Sequence, residues 1–580
     1  MNERTPEQEL DAFFGPRPAE PDSRPRQKLG IVVGGSLSQG LDVKLDRATV
    51  IEGLAVGRYV VAHGRTGRRF FSIVTDVQLD ALNPLIEKAP PETMHGTDDD
   101  DFLARVYRGT AVYGRIHVSP MLMLDAGDDE PKPVKTIPSH FRPVYTASEE
   151  EVGLIFGREE EPGYFYVGEP LEMEGVHVAL DLHRFVERSA GVFGKTGTGK
   201  SFLTRMLLAG LVRENVAVNL VFDMHNEYGW KSQDESKQQV KGLSQLFPGR
   251  VVVFTLDEQS SRRRGSKVDG VIRIGYEQIE PEDVDSLANL MALSDVQVGA
   301  LYFLRRRLGQ GWVARLLDEH DPLAELESAL ERGTIHGGTL GAIQRKLGMF
   351  RRFDFLHPRA AEDPVRQLLD HLDGGINVVL EFGRYGNSLE AYLLVANYLT
   401  RRIHEHYVRR KEAAQGDVGS SGAGGQEPRP LVITIEEAHK FLDPAIARHT
   451  IFGTIARELR KYNVTLLIVD QRPSGIDPEI MSQIGTRVTC LLDDESDVRA
   501  VFAGISGANT LREVLARLDS RQQALMMGHA VPMPVVVKTR TYGPALYAEL
   551  GLAAEGKNGA EATLARGRSL LRGDEGEVEI

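Results

Sequence analysis

The sequence of 580 residues predicts an α/β fold, with a smaller all-β region ahead of a parallel sheet that has helical crossovers. Three observations carry this prediction. A glycine-rich phosphate-binding loop lies between an apolar run and a helical pattern. Buried strand patterns alternate with helices after it, which is typical of a parallel sheet. Short β-like runs at near-regular spacing come before it, as in a small barrel or sandwich.

The phosphate-binding loop fits the pattern G-x-x-x-x-G-K-[ST] and has the strand before it and the helix after it that make the motif specific. Its glycines let main-chain N–H groups curl around phosphate oxygens. We expect Lys200 to reach the β- and γ-phosphates of ATP and Ser201 to hold Mg²⁺. The predicted nucleotide-binding residues are Gly194, Lys195, Thr196, Gly197, Thr198, Gly199, Lys200, Ser201 and Phe202.

Two consecutive carboxylates end a buried strand pattern much further along the chain. The apolar run 431–435 is followed by Glu436 and Glu437. Hydrolysis of a γ-phosphate needs a metal holder and a group that activates water. We therefore predict that Glu436 orients Mg²⁺ together with Ser201 and that Glu437 is the general base.

Polar residues at two further strand ends are candidates for the same site. Gln471 follows the apolar run 464–469, where its amide could contact the γ-phosphate or the attacking water. Asp223 and Glu227 follow another strand, and either support the metal and the water or cap a helix.

Two arginines precede the strand that ends near Gln471. Arg457 and Arg460 are three residues apart, so they share a helix face. On a ring subunit that face could point at a neighbour's γ-phosphate, where an arginine stabilises the charge of the transition state. Alternatively, it is a solvated face.

The domain boundaries follow changes of pattern along the chain. We expect a disordered lead at 1–27, a β-barrel domain at 28–170, an α/β domain at 171–545 and a C-terminal arm at 546–580. A helical insert is predicted at about 277–372, where the β-runs vanish. Within the barrel domain, residues 48–51 are among the expected strands.

Composition narrows the class of protein. The chain is 41% hydrophobic and 26% charged, has no apolar run long enough to span a bilayer, and starts without the apolar core of a secretory signal. Its single cysteine, Cys490, excludes an intramolecular disulfide and a cysteine-cluster metal site. These features favour a cytoplasmic protein with no membrane partner. The net charge of −14 argues against a uniformly basic coat, although a narrow basic channel stays possible.

Five features in order resemble the HerA family of hexameric DNA translocases, in the same broad group as FtsK. They are the phosphate-binding loop, residues 223–228, residues 436–439, residues 457–461 and residues 470–474, and the β-rich region similarly fits the family's barrel. One departure is Glu436, where the family usually has Asp. The longer side chain leaves direct or water-mediated contact with Mg²⁺ open.

The resemblance implies a RecA-like P-loop ATPase core in a homohexameric ring that threads double-stranded DNA. It also implies a NurA-type nuclease docked through the barrel side, and a role in DNA end resection for recombinational repair. The absence of a Q-x-x-G-R-x-G-R pattern argues against a two-lobed helicase, and the absence of an L-S-G-G-Q signature argues against an ABC-type ATPase. A secretion- or conjugation-type ATPase remains the alternative.

Such a motor needs cations on loops that face its pore. A short basic, glycine-containing loop is the best candidate, because contacts to phosphates give affinity without sequence readout. The candidate DNA-binding residues are Arg262, Arg263, Arg264 and Lys267. A solvated surface loop is the alternative interpretation.

Overall fold

The computed structural model describes residues 26–81, 112–128, 130–233, 239–318, 320–321, 323–416, 427–458, 461–505, 508–519 and 521–550. The predicted lead and C-terminal arm lie almost entirely outside these ranges. The chain divides into two compact units. The first comprises residues up to 158 together with 169–178 and 509–517, and the second comprises 159–168, 179–508 and the residues from 518 onwards.

The first unit contains a closed six-stranded antiparallel barrel, which confirms the predicted β-barrel. The strands of the ring are β1 (Lys28–Ser36), β2 (Gly40–Leu45), β3 (Tyr59–His63), β4 (Arg69–Ala81), β5 (Val112–Leu124) and β7 (Pro143–Thr146), and the short β6 (Lys132–Pro133) pairs with β5 outside the ring. They pair in the order β2-β1-β7-β3-β4-β5-β6, and an additional pairing of β2 with β5 closes the barrel. Buried aliphatic side chains such as Val43, Val60 and Ile116 fill its interior. Helix α1 (Glu149–Phe156) follows and begins at a capping box formed by Ser148 and Glu151.

One expected strand of the barrel is wrong. Residues 48–51 form no strand, and a short 3-10 helix spans Ile51–Gly53 instead. Val50 is 66% exposed, and only Ile51 of this run packs against the barrel core. β-propensity reflects packing on a pleated, half-buried surface, and most of this run lacks such packing.

The remaining strands follow the barrel along the chain. They are β8 (Tyr164–Pro170), β9 (Val178–Asp181), β10 (Ala190–Phe193), β11 (Val218–Asp223), β12 (Ser232–Gln233), β13 (Gln239–Val240), β14 (Val251–Thr255), β15 (Gly270–Val271), β16 (Ile274–Gly275), β17 (Leu356–His357), β18 (Asn377–Glu381), β19 (Leu431–Glu436), β20 (Val464–Asp470), β21 (Thr486–Thr489), β22 (Gln523–Gly528) and β23 (Val535–Thr539).

Helices connect most of these strands. They are α2 (Leu182–Glu187), α3 (Lys200–Glu214), α4 (Leu243–Leu246), α5 (Glu258–Arg263), α6 (Pro281–Asp285), α7 (Asp295–Leu308), α8 (Trp312–Leu317), α9 (Glu327–Glu331), α10 (Gly337–Leu347), α11 (Pro364–Asp373), α12 (Leu389–Gly416), α13 (His439–Leu442), α14 (Ile451–Glu458), α15 (Pro478–Gln483), α16 (Glu495–Val501), α17 (Ala508–Ala516) and α18 (Pro544–Glu549).

A twelve-stranded sheet organises the second unit, in the order β15-β14-β18-β11-β19-β20-β10-β21-β22-β23-β8-β9. The strands from β15 to β21 in this order are parallel, and β22 and β23 continue the sheet antiparallel. Every residue of β19 and β20 is buried. Continuous apolar strands of this kind are typical of parallel sheets covered on both faces. The predicted RecA-like α/β core is confirmed.

The segment between β16 and β18 is mainly helical. Helices α6 to α11 occupy it, and Trp312 and Phe350 are fully buried within it. It also contains one short strand, because β17 pairs with β16. Although α12 is 28 residues long, no helix in the described ranges combines the length and apolarity needed to cross a membrane.

A buried arginine joins the strand beside β10 to the ends of neighbouring helices. Arg487 of β21 is 2% exposed, and its guanidinium donates to the carbonyls of Met481 (2.5 Å), Val501 (2.7 Å) and Ala503 (2.8 Å). Burial lowers the pKa of Arg487 to about 10. The side chain thus adds a donor to carbonyl groups at the ends of two helices.

Replacing this arginine should destabilise the second unit. In Arg487→Met the three carbonyls lose this donor, so we expect the free energy of unfolding to fall by about 3 kcal/mol. A loss of that size should lower the thermal unfolding midpoint by roughly 5 °C or more. The control is Arg499→Ala, because Arg499 is exposed and pairs only with Glu495 in its own helix. Equal midpoints for the two variants would contradict this structural role.

Candidate active site

The phosphate-binding loop connects β10 to α3 and has the backbone that the motif requires. Gly194, Gly197 and Gly199 have φ values of 153°, 80° and 89°, a region that other residues rarely adopt. A Cβ on Gly194 would lie 2.8 Å from both the Cβ of Cys490 and the Oγ1 of Thr198. The loop therefore needs glycine both for conformation and for space. It leads directly into the amino end of α3, whose free N–H groups and dipole favour a phosphate.

Lys200, the first residue of α3, lies across the loop. Its Nζ donates to the carbonyl of Lys195 at 2.8 Å, and burial lowers its pKa. The Lys195 side chain points elsewhere, with its Nζ 2.8 Å from a carboxylate oxygen of Asp493. Ser201 and Phe202 follow in the first turn of α3, both half-buried. The loop lysine is thus in place to meet phosphate oxygens, which would replace the carbonyl as its partner.

Four neighbouring strands of the sheet each end in a carboxylate. Glu381, Asp223, Glu436 and Asp470 are the last residues of β18, β11, β19 and β20, which are adjacent in that order. Asp223 pairs in register with Glu381, and Asp470 pairs with Phe193 at the start of the phosphate-binding loop. The carboxyl edge of a parallel sheet is where ligands bind in such folds. The row of acids therefore leads directly to the loop.

The two outer acids of the row, Glu381 and Asp470, accept hydrogen bonds from donors of the protein. Glu381 is fully buried and accepts from the hydroxyls of Ser261 (3.1 Å) and Ser266 (3.0 Å) and from Arg264. Asp470 is also buried. It accepts from the main-chain N–H groups of His439 and Arg472, each at 2.6 Å. The His439 ring lies 3.0 Å from the same carboxylate, which raises the pKa of His439.

Asp223 closes a turn at the end of β11. Its carboxylate accepts from the main-chain N–H groups of Glu227 (2.7 Å), Tyr228 (2.8 Å) and Gly229 (3.2 Å). Burial, followed by the neighbouring Glu381, raises the pKa of Asp223 to about 7. These contacts hold a turn, and no helix begins at residues 224–231, so Asp223 is not the helix cap that the sequence offered as an alternative. Glu227 is directed elsewhere, with an oxygen 3.7 Å from the guanidinium of Arg205.

Glu436 differs from the other three acids. Its Oε1 accepts from the hydroxyl of Tyr228 at 2.9 Å, whereas its Oε2 is buried and has no hydrogen-bond partner among the described residues. Burial raises the pKa of Glu436 well above its usual range, and the carboxylates of Asp223 and Glu227 add to this. A buried carboxylate oxygen without a donor is costly. A divalent cation at Oε2 would remove that cost, so the residue fits the predicted metal role.

Glu437 lies between this acid and the loop. Its φ of 50° is unusual for a residue with a side chain, and backbone strain of this kind often occurs at functional sites. Gln471, just past the end of β20, donates from Nε2 to Glu437 Oε1 at 2.8 Å. The amide Oε1 of Gln471 accepts from the hydroxyl of Thr196 at 2.5 Å. Because β20 lies between β19 and β10, one amide connects the candidate base to the phosphate-binding loop.

The predicted arginines lie away from the loop of their own chain. Arg457 is on α14, with its Nε 3.3 Å from a carboxylate oxygen of Glu479. It lines a cavity of about 760 Å³ together with Arg188 and Gly485, which precede β10 and β21. That cavity is at the amino ends of the parallel strands, opposite the edge that carries the phosphate-binding loop. Arg460 lies outside the described residues.

The predicted basic loop is only partly a loop, because residues 261–263 are helical whereas residues 264–267 are not. Residues up to Arg263 belong to α5, and Arg262 forms a pair with Glu258 one turn earlier in that helix. Arg264 donates to the buried Glu381 at 2.7 Å. Because its guanidinium has this internal partner, the structure does not support Arg264 as a DNA contact. Arg263 and Lys267 are exposed. Arg262, Arg263 and Lys267 are therefore the remaining candidates in this segment for contacts with the phosphates of DNA.

The sequence did not predict two hydrogen bonds of the site. Tyr228 contacts Glu436 and His439 contacts Asp470, and nothing in the spacing of these residues along the chain indicates those partners. Only the position of Tyr228 and His439 after strand ends could have suggested a place in the site. Tyr228 lies five residues after the end of β11 and His439 three after the end of β19, within polar turns at the carboxyl edge.

Comparison with known proteins finds relatives of this chain. Residues 165–403 match the family described as the central domain of helicase HerA. The DNA double-strand break repair helicase HerA of Sulfurisphaera tokodaii is 22% identical over 541 residues, covering 88% of this chain and 92% of the relative. The protein of the same name in Pyrococcus furiosus is 24% identical over 414 residues, covering 68% and 72%. The one in Sulfolobus acidocaldarius is 26% identical over 404 residues, with the same coverage.

Two solved structures illustrate a partial likeness of fold. The bacterial conjugative coupling protein TrwB superposes with a TM-score of 0.44 at 12% identity, covering 69% of this chain and 93% of TrwB. VirB4 of Thermoanaerobacter pseudethanolicus gives a TM-score of 0.43 at 13% identity, covering 67% and 98%. Likeness at this level carries no argument about activity. From the match over residues 165–403, the broad coverage of the relatives and the phosphate-binding loop, the chain resembles the HerA helicases over most of its length.

Proposed function

We propose that this ATP-hydrolysing enzyme is a member of the HerA family and a double-stranded DNA translocase and helicase that acts as a homohexameric ring. It would work with a NurA-type nuclease in DNA end resection for recombinational repair. The observation that carries the proposal is the grouping of three features at the sheet edge. There the phosphate-binding loop, a buried acid with a free oxygen and a Glu437–Gln471 pair come together. The names of the relatives, DNA double-strand break repair helicases, supply the substrate class.

In the proposed reaction ATP lies in the glycine loop with Lys200 at its β- and γ-phosphates. Ser201 and Glu436 would hold Mg²⁺, and the ion when bound neutralises phosphate charge. Glu437 accepts the proton of the attacking water. Its half-buried side chain is oriented by the amide of Gln471. A positioned base of this kind contributes about 10²- to 10⁴-fold to a rate.

Gln471 would also couple nucleotide binding at the loop to the position of Glu437. Its Oε1 is bonded to Thr196 of the loop, and Lys200 is bonded to the carbonyl of Lys195. Phosphate oxygens compete for both donors, so nucleotide binding should rearrange the contacts that reach Glu437. This coupling suits a motor, in which hydrolysis must follow a change of conformation.

Assembly and partners rest on the family resemblance. Arg457 lies on the edge of the sheet opposite its own loop, which supports a role in trans for Arg457 or Arg460 at a neighbour's γ-phosphate. The NurA-type nuclease would dock through the barrel side. Because the chain carries a net charge of −14, the DNA must be contacted by local cations, for which Arg262, Arg263 and Lys267 are the candidates.

Two substitutions should separate nucleotide binding from hydrolysis. Lys200→Ala removes the cation of the cradle and should abolish ATP binding or turnover. Glu437→Gln keeps the cradle but loses the base, so ATP should bind while turnover falls at least about 100-fold. Turnover is followed by phosphate release and binding by a fluorescent ATP analogue. A Glu437→Gln enzyme with parental turnover would refute the assignment of the base.

The remaining basic residues of the α5 segment can be tested together. We expect the double variant Arg263→Ala/Lys267→Ala to lower the stimulation of the ATPase by linear duplex DNA, and to reduce the salt dependence of DNA binding by up to about two phosphate contacts. The rate without DNA is the internal reference. Arg499→Ala is the matched control, since it also removes an exposed cation. Stimulation equal to that of the control would remove this segment from the DNA path.

The proposal as a whole is tested by ATPase activity with and without linear duplex DNA, measured together with the mass in solution. We expect stimulation by duplex DNA from a particle of about six times the 64.1 kDa chain mass. A monomer with no response to DNA, alone or with a NurA-type nuclease, would contradict the proposal. Stimulation by single strands only would favour the conjugation-type alternative.

A further inference from the structure

The carboxylate of Glu436 is oriented by a single side chain of the described structure. The hydroxyl of Tyr228 donates to Oε1 at 2.9 Å, and the opposite oxygen, Oε2, has no partner. A second tyrosine, Tyr392, also reaches this residue but contacts only its main chain. Its hydroxyl accepts from the N–H of Glu436 at 3.1 Å and lies 3.3 Å from the carbonyl. Tyr392 therefore contacts the main chain of Glu436, and Tyr228 contacts its carboxylate.

Tyr228 is itself held from several sides. Its N–H donates to Asp223, and its carbonyl accepts from the N–H of Leu243 at 2.8 Å. Asn226 stands in the same turn with a φ of 58°, and its side-chain oxygen accepts from the N–H of Gly383 at 2.8 Å. The turn is thus tied to the ends of two neighbouring strands. Such ties leave the main chain of Tyr228 little freedom.

The ring of Tyr228 is equally confined. It is fully buried, and the guanidinium of Arg205, one turn along α3 from Ser201, lies 5.8 Å from its centroid. Phe202 and Tyr542 flank the same guanidinium at 5.2 Å and 5.8 Å. A cation enclosed by three rings is held by attraction to their faces and by packing. The hydroxyl of Tyr228 therefore points at Glu436 without an alternative position in reach.

We propose that Tyr228 is a positioning residue for the metal site, which fixes the Glu436 carboxylate so that Oε2 faces the cation. This inference rests on the proposed magnesium role of Glu436. A glutamate has one more side-chain torsion than an aspartate, so its carboxylate needs an additional restraint. One hydrogen bond to Oε1 stops rotation about the last torsion and leaves the other oxygen open. Outer partners of this kind typically change metal affinity by about 10- to 100-fold.

The test removes the hydroxyl and keeps the ring. In Tyr228→Phe the affinity for the cation should fall about tenfold, while the affinity for nucleotide without metal stays at the parental value. The first is measured by electron paramagnetic resonance of Mn²⁺ titrated into protein with saturating ADP. The second is measured by binding of a fluorescent ADP in excess chelator. A general loss of structure would lower both affinities together.

Three further variants decide between outcomes. Tyr392→Phe, which removes a buried hydroxyl from the main chain of the same glutamate, should keep parental Mn²⁺ affinity. Glu436→Gln should lose it, which tests the metal role itself. In a Glu436→Gln background, Tyr228→Phe should have no further effect, because no carboxylate remains to be positioned.

Each failure has a separate meaning. Parental Mn²⁺ affinity in Tyr228→Phe, alongside a loss in Glu436→Gln, overturns the positioning role and leaves the metal role intact. Parental affinity in Glu436→Gln overturns the metal role and this inference with it. An equal fall in Tyr228→Phe and Tyr392→Phe attributes the effect to loosening of the strand end, which also overturns it. Unchanged thermal unfolding midpoints would show that each single variant is folded.

Discussion

Burial of acids at the carboxyl edge of the parallel sheet is the constraint on which the rest of this site depends. Parallel strands bring their ends to one edge, and here four adjacent strands end in a carboxylate. Charged oxygens removed from water must find donors or a cation. Asp223 accepts hydrogen bonds from main-chain N–H groups, and Asp470 accepts from main-chain N–H groups and contacts the ring of His439. Glu381 accepts from hydroxyl groups and a guanidinium. Glu436 alone in this row keeps an oxygen without a donor, which makes it the place for a cation.

The requirement for donors also explains the course of the surrounding chain. In the turn after β11, three main-chain N–H groups donate to Asp223. The same turn brings the hydroxyl of Tyr228 within hydrogen-bond distance of Glu436. Arg264 turns inward to Glu381 instead of outward to a ligand. Residues that a search for basic patches would assign to DNA can thus be required by the protein interior. Burial of the partner carboxylate, more than the charge of the arginine, decides which role prevails.

The other half of the site depends on strand order. Since β20 separates the strand of the acids from the strand of the phosphate loop, the residue at its end can contact both sides. Gln471 does so through the two ends of one amide, which donates to Glu437 and accepts from Thr196. Replacing one donor on the loop by phosphate must therefore change the hydrogen bonding of the base. This gives the site a short physical path from nucleotide binding to the group that activates water.

Local patterns in the sequence determined the elements that have a strong signal. The phosphate loop, the strands predicted from the apolar runs 431–435 and 464–469 and the paired acids at the end of β19 could be located, because glycine spacing and continuous apolar runs depend on short stretches of chain. Weaker patterns failed where tertiary packing decides, as at residues 48–51 and at residues 261–263, which are helical.

Only the tertiary structure decided how the located residues meet. Strand order brings Gln471 between Glu437 and Thr196, and the turn after β11 joins Tyr228 to an acid 208 positions further along the chain. It also assigned Asp223 to a turn and Arg264 to an internal ion pair. Such pairings join distant parts of the chain through the pairing of strands, and their partners are selected by the burial of charge. A local sequence pattern carries neither kind of information.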